Sequence, residues 1–311
     1  MPSLNVAPYI RECIESVIHQ ELQEIEIICV DAGSTDGTVE VLQEYAAQDQ
    51  RIQLLHSDQK SYGHQMNMGF EAATGEYIGI VETDDFISRD MYYKLYSAAV
   101  NADFPDVVKS PYYNVNPPDD IEGPLALVRF IDAKTGDVFP LSEHFELICD
   151  HPSIWSCIYK KRFLDDKQIR MMECPGAAWV DNPFLYRTLC EAERICWVDE
   201  PFYYYRRTNP NASSFLKDCS IPMARINDIK DYMEENYPND RLLEKHLFFR
   251  TLIYIERVME SPYLTDENKQ QIKATVKRFH PYIVARVFLG RRYRLFRWKC
   301  KNSLRKIKHY S

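Results

Sequence analysis

The chain has 311 residues, 45% hydrophobic and 27% charged, proportions of a folded protein with room for roughly two domains. No run approaches the roughly 18 apolar residues of a membrane span, and Met1-Pro2-Ser3-Leu4 lacks the regions of a signal peptide. A cytoplasmic location is therefore expected, and a net charge of −8 gives no reason to expect a nucleic-acid partner.

The charge is unevenly spread. Residues 268–311 hold 14 Lys plus Arg and no acid, leaving the remainder at −22. An acidic body with a basic tail points to an anionic surface as the tail's partner. Within residues 281–311, Tyr293, Phe296, Cys300, Leu304 and Ile307 share one helical face while Arg and Lys fill the others. That is the pattern of a helix lying on the inner face of the cell membrane. Packing of a basic helix on the acidic body is the alternative. The nine cysteines include no C-x-x-C pair, and several sit in apolar runs, so buried reduced thiols are expected.

Taken in order, Ile25 to Val30 is a β-branched run ending at Asp31, followed by the turn Gly33-Ser34-Thr35-Asp36-Gly37. A helix is predicted from Thr38, a strand over Ile52–Leu55, and a second helix from Gly63 to Ala73. Tyr77–Val81 reads as a third strand running into Glu82-Thr83-Asp84-Asp85, with a helix from about Asp90 to Asn101 beyond it. Such strand–helix repeats predict a mainly parallel α/β sheet. Residues ~115–140 read as an exposed crossing segment, 145–207 as short helices and strands, and the chain from Ile221 as helical. Three regions follow: 1–115, 116–215 and 216–311.

Open α/β sheets bind ligands beyond the carboxyl ends of their strands. Asp31 closes one strand here and the Glu82–Asp85 cluster closes another. If the strand geometry persists, Glu82 and Asp84 point the same way and repel unless a hard cation, Mg²⁺ or Mn²⁺, sits beside them. Capping of the following helix is the alternative use of these acids. There is no P-loop lysine and no G-x-G-x-x-G, which argues against ATPase and NAD chemistry.

The order of the segments is more specific than any one of them. Asn5 to Val17, Ile28-Cys29-Val30-Asp31-Ala32-Gly33-Ser34-Thr35-Asp36-Gly37-Thr38, and Ala73-Thr74-Gly75-Glu76-Tyr77-Ile78-Gly79 with the acidic cluster behind it closely resemble the family 2 glycosyltransferases. The resemblance covers residues 2 to about 100. It implies the GT-A fold, a Rossmann-like mixed sheet flanked by helices, here with a helical C-terminal extension. It also implies a nucleotide-diphosphate-sugar donor and a divalent metal, Mg²⁺ or Mn²⁺. On matching positions Asp31 contacts the base, Glu82 the ribose side and Asp84 the metal. Pro2, Asn5, Gly33, Ser34, Asn67 and Thr83 complete the donor side.

A looser match runs through the second half. Trp155 to Leu164 resembles the segment before the family's catalytic acid, and Glu173 to Phe184 occupies the place of its Glu-Asp motif. Asp181 thereby inherits the role of general base for inverting transfer, with Trp179, Tyr205 and Arg206 on the acceptor or phosphate side. Without the resemblance, Asp181 reads as a helix N-cap and Tyr203–Tyr205 as a half-buried strand. The implied activity is transfer of a sugar, from a UDP-sugar, to a surface glycan or lipid-linked oligosaccharide. The rival is a catalytically degenerate glycan- or nucleotide-binding protein.

Three departures bear on activity. Glu82 replaces the usual Asp, Ala32 replaces the second Asp of an Asp-Asp-Gly-Ser turn, and Met66 stands where many members carry Arg. Members also have an apolar central strand ahead of the Pro-x-x-Asn segment, whereas this chain begins at Met1-Pro2. That first strand is expected to be absent, leaving unpaired backbone groups on both neighbours and the activity of this chain in question.

Overall fold

A computed structural model describes residues 1–115, 125–209, 216 and 218–289. β1 (Pro2–Ser3) leads into α1 (Ala7–Ile18), which takes Pro8 in its first turn, where the missing N–H costs no helical hydrogen bond. Ile10, Cys13, Ile14 and Val17 recur at i, i+3, i+4 and i+7 and are all buried. β2 (Ile27–Asp31) is followed by α2 (Thr38–Ala46), entered through Gly37 at φ 103°, a left-handed conformation free of Cβ strain only for glycine. β3 (Ile52–His56) precedes α3 (Tyr62–Ala72), capped by the Ser61 hydroxyl, which accepts from the His64 N–H. β4 (Tyr77–Gly79), β5 (Phe86–Ile87) and α4 (Met91–Asn101) complete this part.

Shorter elements follow: β6 (Val107–Lys109), β7 (Tyr112–Val115), β8 (Leu125–Val128), β9 (Val138–Phe139), β10 (Cys157–Lys160), α5 (Lys161–Asp166), α6 (Asp181–Glu191), β11 (Ile195–Trp197) and β12 (Tyr203–Arg206). The stretch read as an exposed crossing segment thus contains β8 and β9, although Leu127 and Val138 are indeed exposed.

The strands form three sheets, β1-β2-β3, β4-β10-β6-β11-β9 and β5-β12-β7-β8. Only the first is wholly parallel; elsewhere the parallel pairs are β6–β11 and β7–β12. The strand–helix repeats alone point to a mainly parallel sheet; the arrangement is mixed, as the family resemblance implies. Parallel neighbours need a crossover that carries the chain back, and α1 supplies it between β1 and β2, α2 between β2 and β3. After α4, β7 joins β8 as an antiparallel pair, and β10 enters antiparallel between β4 and β6.

The expected missing strand is corrected in part. Pro2 and Ser3 pair in parallel with Val30 and Asp31, so a two-residue strand remains. Met1 extends it, its ammonium donating to the Ile28 carbonyl (2.9 Å) and its carbonyl accepting from the Val30 N–H (2.9 Å). Further toward the start of β2, that edge faces a cavity.

The chain divides into two compact units, Met1–His144 with Pro152–Ala212, and Phe145–His151 with Ser213–Ser311. The first is centred on fully buried aromatics: Tyr159, Phe184, Tyr186, Trp197, Phe202 and Tyr203. Burial of each such side chain stabilises by very roughly 1.5–3 kcal/mol. Trp155 stacks on Tyr203 at 4.0 Å, and Phe184 meets Phe70 and Tyr159 at 5.7 and 5.5 Å. The second unit holds α7 (Ile221–Asn236), α8 (Arg241–Glu260), α9 (Asp266–Lys277) and α10 (Pro281–Leu289). There Lys230 and Glu244, both buried, pair at 2.8 Å. Among the described residues no helix is long and apolar enough to cross a membrane. Cys13, Cys29, Cys157, Cys196 and Cys219 are buried thiols outside any disulfide. The stripe Tyr293, Phe296, Cys300, Leu304 and Ile307 lies outside the described residues.

Candidate active site

Asp31 ends β2 with its carboxylate fully engaged. Oδ1 accepts from the Gly33 and Ser34 N–H groups (2.8 Å each), and Oδ2 from the Ser34 and Ser3 hydroxyls (2.5 and 3.1 Å). Gly33 makes this turn possible at φ 84°. Asn5, itself at φ 54°, ties the start of α1 to the same loop: its N–H donates to Ser34 Oγ (2.8 Å) and its Oδ1 accepts from the Thr35 N–H (2.9 Å). Asp36 then accepts from the Ala7 N–H (2.9 Å) and the Thr38 hydroxyl (2.6 Å). Pro2, Asn5, Asp31, Gly33 and Ser34 are thus gathered in one hydrogen-bonded loop cluster. Thr83 joins it through its hydroxyl, which donates to the Pro2 carbonyl (2.7 Å).

The second acidic cluster is a turn rather than a strand. β4 stops at Gly79, and the Asp85 N–H bonds back to the Glu82 carbonyl (3.1 Å), so the alternation expected of Glu82 and Asp84 is not what sets their directions. β12 fastens this turn. Asp85, buried, accepts from the Tyr203 hydroxyl (2.8 Å) and the Arg206 N–H (2.7 Å). The Arg206 guanidinium donates to the Asp84 carbonyl (3.2 Å) and to Glu12 (2.6 Å), and lies over the Tyr9 and Phe86 rings. Asp84 Oδ2 accepts from Asn209 (2.8 Å), and Glu82 Oε1 accepts from the Tyr62 hydroxyl (2.5 Å).

These carboxyls are electrostatically crowded. Burial, with Asp84 and Asp181 adding like charge, pushes Glu82 up to about 7 despite the Tyr62 bond. Burial also raises Asp84, against the Asn209 bond and the Arg206 charge. It raises Asp85 well above the carboxylate range, with the neighbouring Asp84 adding to the effect. Tyr62 is held far above the usual phenol value by burial, Glu82 and Asp181.

Asp181 comes to this place through a clamp between two loops. Gly176 bridges to Ser61: the Tyr62 N–H donates to the Gly176 carbonyl (3.0 Å), and the Gly176 N–H to the Lys60 carbonyl (2.8 Å). Gly63 lets α3 lie against this segment, since a Cβ there would stand 2.0 Å from the Met172 carbonyl oxygen. Asn67, buried, exchanges hydrogen bonds with Met171 (2.9 and 3.0 Å) and donates to Glu173 (2.8 Å). Its amide is therefore committed to holding the second half of the chain. Ala178 and Trp179 turn through left-handed φ values of 42° and 54° before α6 opens at Asp181. Asp181 is not the N-cap, which is Val180; it lies in the first turn, accepting from Asn182 Nδ2 (2.8 Å). A carboxylate there is favoured by the helix dipole. Tyr205 stacks with Trp155 at 5.3 Å.

The structure therefore puts Glu82 within electrostatic reach of both Asp84 and Asp181, beside the Asp31 loop, with Arg206 at the back of the acidic turn. The sequence did not single out Tyr62 or Asn209 as site residues, and pointed to Asp85 and Tyr203 only as parts of the acidic cluster and of the Tyr203–Tyr205 run. Tyr203 and Asn209 lie over a hundred residues from the acids they hold, and a local pattern carries no such signal.

Carboxylates beyond strand ends, beside a parallel sheet edge with helices on the flanks, place the ligand site of an open α/β sheet here, as the resemblance to the GT-A nucleotide-sugar transferases implies. The comparisons agree. The family model described as Glycosyl transferase family 2 matches residues 1–180. The uncharacterized glycosyltransferase EpsJ of Bacillus subtilis (strain 168) is 30% identical over 224 residues, 68% of this chain and 61% of EpsJ. The chain thus spans less than two thirds of that relative. The structure of S. aureus TarS 1–349 in complex with UDP-GlcNAc superposes with a TM-score of 0.61 at 16% identity, covering 89% of this chain and 86% of that one. The mannosyltransferase PcManGT from Pyrobaculum calidifontis, in complex with GDP-Man and Mn²⁺, gives 0.53 at 14% identity, covering 97% and 83%. The chain belongs to glycosyltransferase family 2, and its fold is GT-A.

Proposed function

We propose that the protein is an inverting glycosyltransferase that moves a sugar from a UDP-sugar to a hydroxyl of a surface-glycan or lipid-linked oligosaccharide acceptor. The observation that carries this reading is that Tyr62 joins the two halves of the chain, its hydroxyl donating to Glu82 (2.5 Å) and its N–H to the Gly176 carbonyl (3.0 Å), which brings Asp181 close enough to add like charge to a Glu82 carboxyl already raised by burial. Three carboxyls from two distant segments make a poor resting arrangement and a good reaction site.

The residues divide the chemistry as follows. Asp31, with Gly33, Ser34 and Asn5, presents a rigid loop to the nucleotide base, and Glu82, Thr83 and Pro2 face the ribose. Asp84 offers a carboxylate to a divalent cation, Mg²⁺ or Mn²⁺. Among the described residues no three His, Cys, Asp or Glu side chains form a ready cage. The donor set still fits, since such ions are commonly held by one or two carboxylates with substrate phosphate oxygens completing the shell. When bound, the ion neutralises charge on the leaving diphosphate. Asp181 takes the proton from the acceptor hydroxyl as that oxygen attacks C1, and Trp179 and Tyr205 shape the acceptor side. Arg206 holds the acidic turn at the phosphate side. The PcManGT complex with Mn²⁺ and the TarS complex with UDP-GlcNAc support a nucleotide-sugar donor with a cation.

Nucleotide release from a panel of UDP- and GDP-sugars, with Mn²⁺ and with glycan and lipid-linked acceptors, tests the reading. Release from UDP-sugars that depends on acceptor and cation is the expected result. Binding of a nucleotide-sugar with no release across the panel favours the degenerate binding protein instead.

The basic tail extends the proposal to peripheral association with the inner face of the cell membrane. Ile283 and Val287 are buried in the second unit, so the tail is best removed after Leu289. Each basic residue near an anionic surface contributes about 1 kcal/mol, so the shortened protein should lose most of its binding to phosphatidylserine vesicles at low salt. Unaltered vesicle binding excludes the tail from that role.

A further inference from the structure

A cavity of about 690 Å³ lies in the second unit, where the loop between α8 and α9 meets the start of α7. α7 and α9 run side by side in the same direction, because their contacts advance together. Gln271 Nε2 donates to the Ser220 carbonyl (3.1 Å), Asn227 Nδ2 to Thr275 Oγ1 (3.1 Å), and the Arg278 guanidinium to Asp231 (2.6 Å). Both helices therefore begin at the cavity. Asp218 lies just ahead of α7 and Glu267 in the first turn of α9, where the helix dipole favours a carboxylate. The dipole accounts for these acids but not for the polar atoms left open around them.

Those atoms are mostly acceptors. Asp218 receives the Ser220 N–H (2.8 Å) and hydroxyl (2.7 Å) on Oδ1 alone, which leaves Oδ2. Gln271 commits its Nε2 to Ser220, which leaves Oε1. The exposed Glu267 carboxylate has no donor or basic partner among the described residues. One donor stands among them. Asn268 is only 9% exposed, and its Oδ1 accepts from the Thr265 N–H (3.0 Å) and hydroxyl (2.8 Å) to close the cap of α9. Its Nδ2 has no acceptor among the described residues, although the side chain lines the cavity. A buried amide donor so placed has to find its partner in the cavity.

Tyr263 supplies an apolar surface. It lines the cavity and is 58% exposed, on a loop held by the Tyr263 N–H to Ser261 Oγ (3.2 Å) and the Leu264 N–H to the Ser261 carbonyl (3.4 Å). A ring fixed in advance binds with less loss of entropy. The lining also excludes most ligand classes. It holds two carboxylates and no base, which repels an anion. Among the described residues no three acids, His or Cys gather to hold a metal ion. An ammonium group suits the carboxylates but offers Asn268 Nδ2 no acceptor. A sugar hydroxyl both donates and accepts, and the C–H face of a pyranose is apolar enough to lie on a tyrosine ring.

We infer that this cavity is a binding site for a neutral oligosaccharide. One pyranose lies on Tyr263, and its hydroxyls are shared by Asp218, Glu267, Asn268 and Gln271. The volume falls within the roughly 300–1,000 Å³ of small-ligand sites. The inference does not rest on the proposed transfer reaction, since none of these residues belongs to the acidic site. Its failure would leave nucleotide release as expected.

Calorimetric titration of the full chain with cellotriose, mannotriose and triacetylchitotriose tests it, beside a heparin tetrasaccharide, trilysine and Ca²⁺. The expected result is saturable binding of at least one neutral trisaccharide with a Kd of about 1 mM or tighter. Tyr263→Ala and Glu267→Gln should each weaken it at least tenfold. Both positions are exposed, so the Tm of each variant should stay within about 2 °C of the parent. Tyr93→Ala removes another exposed tyrosine, in the first unit, and should leave binding unchanged. No saturable binding of any of the three sugars overturns the inference, as does binding that survives both cavity variants. Tighter binding of the heparin tetrasaccharide, trilysine or Ca²⁺, lost in the same variants, overturns it too, because the ligand would then be charged.

Discussion

Two strand ends carry acids in this protein, and they are built on opposite plans. At the end of β2, Asp31 receives four hydrogen bonds from Gly33, Ser34 and Ser3, so its negative charge is matched by donors of the chain itself. Beyond β4, Asp85 is buried and Glu82 and Asp84 are half-buried, each with fewer donors, and each is pushed toward its protonated form. A satisfied carboxylate is a rigid surface against which a neutral ligand can be positioned. An under-compensated cluster is one whose energy falls when positive charge arrives. On this account the first end reads the nucleotide and the second waits for the cation and the reacting groups.

The largest effect that can break the comparison is at Asp84. Asp84→Asn should lower transfer by about 10²–10³-fold, the usual cost of losing an electrostatic stabiliser, and abolish the Mn²⁺ dependence of UDP-sugar binding. Calorimetric titration with and without Mn²⁺ reads both states; an unchanged Mn²⁺ dependence would place the cation elsewhere. A smaller effect is expected at Glu82. Its carboxyl titrates near 7 in the folded chain, against 4.5 ordinarily. Between those values the folded chain holds a proton that the unfolded chain gives up, so its contribution to stability falls as pH rises through that window and is constant above it. The loss is at most about 3 kcal/mol. Glu82→Gln should flatten the fall in Tm between pH 5 and pH 8, and an identical pH slope in the two proteins would contradict the crowding.

Much of this was legible in the sequence because the information was local. The Gly33–Gly37 turn, the helices from Thr38 and Gly63, and the acid closing β2 all follow from neighbouring residues. The resemblance of residues 2 to about 100 supplied their order. What escaped was long-range. The turn that ends β4 before Glu82 depends on Tyr203 and Arg206 of β12. The place of Asp181 depends on Gly176 bridging to Ser61, and on Asn67, which is tied to Met171 and Glu173. Mixed strand directions after α4 likewise follow from pairings between remote segments, which propensity does not encode. The expected loss of the first strand is corrected in part, since Pro2 and Ser3 pair in parallel with Val30 and Asp31.

The account rests on Asp181 as the proton-taking group, and the most direct test is Asp181→Asn under single-turnover conditions, with UDP-sugar binding measured in parallel. Removal of a general base predicts a fall in transfer of about 10²–10⁴-fold with donor affinity kept within about threefold. Unchanged turnover in the variant would contradict the account at its centre.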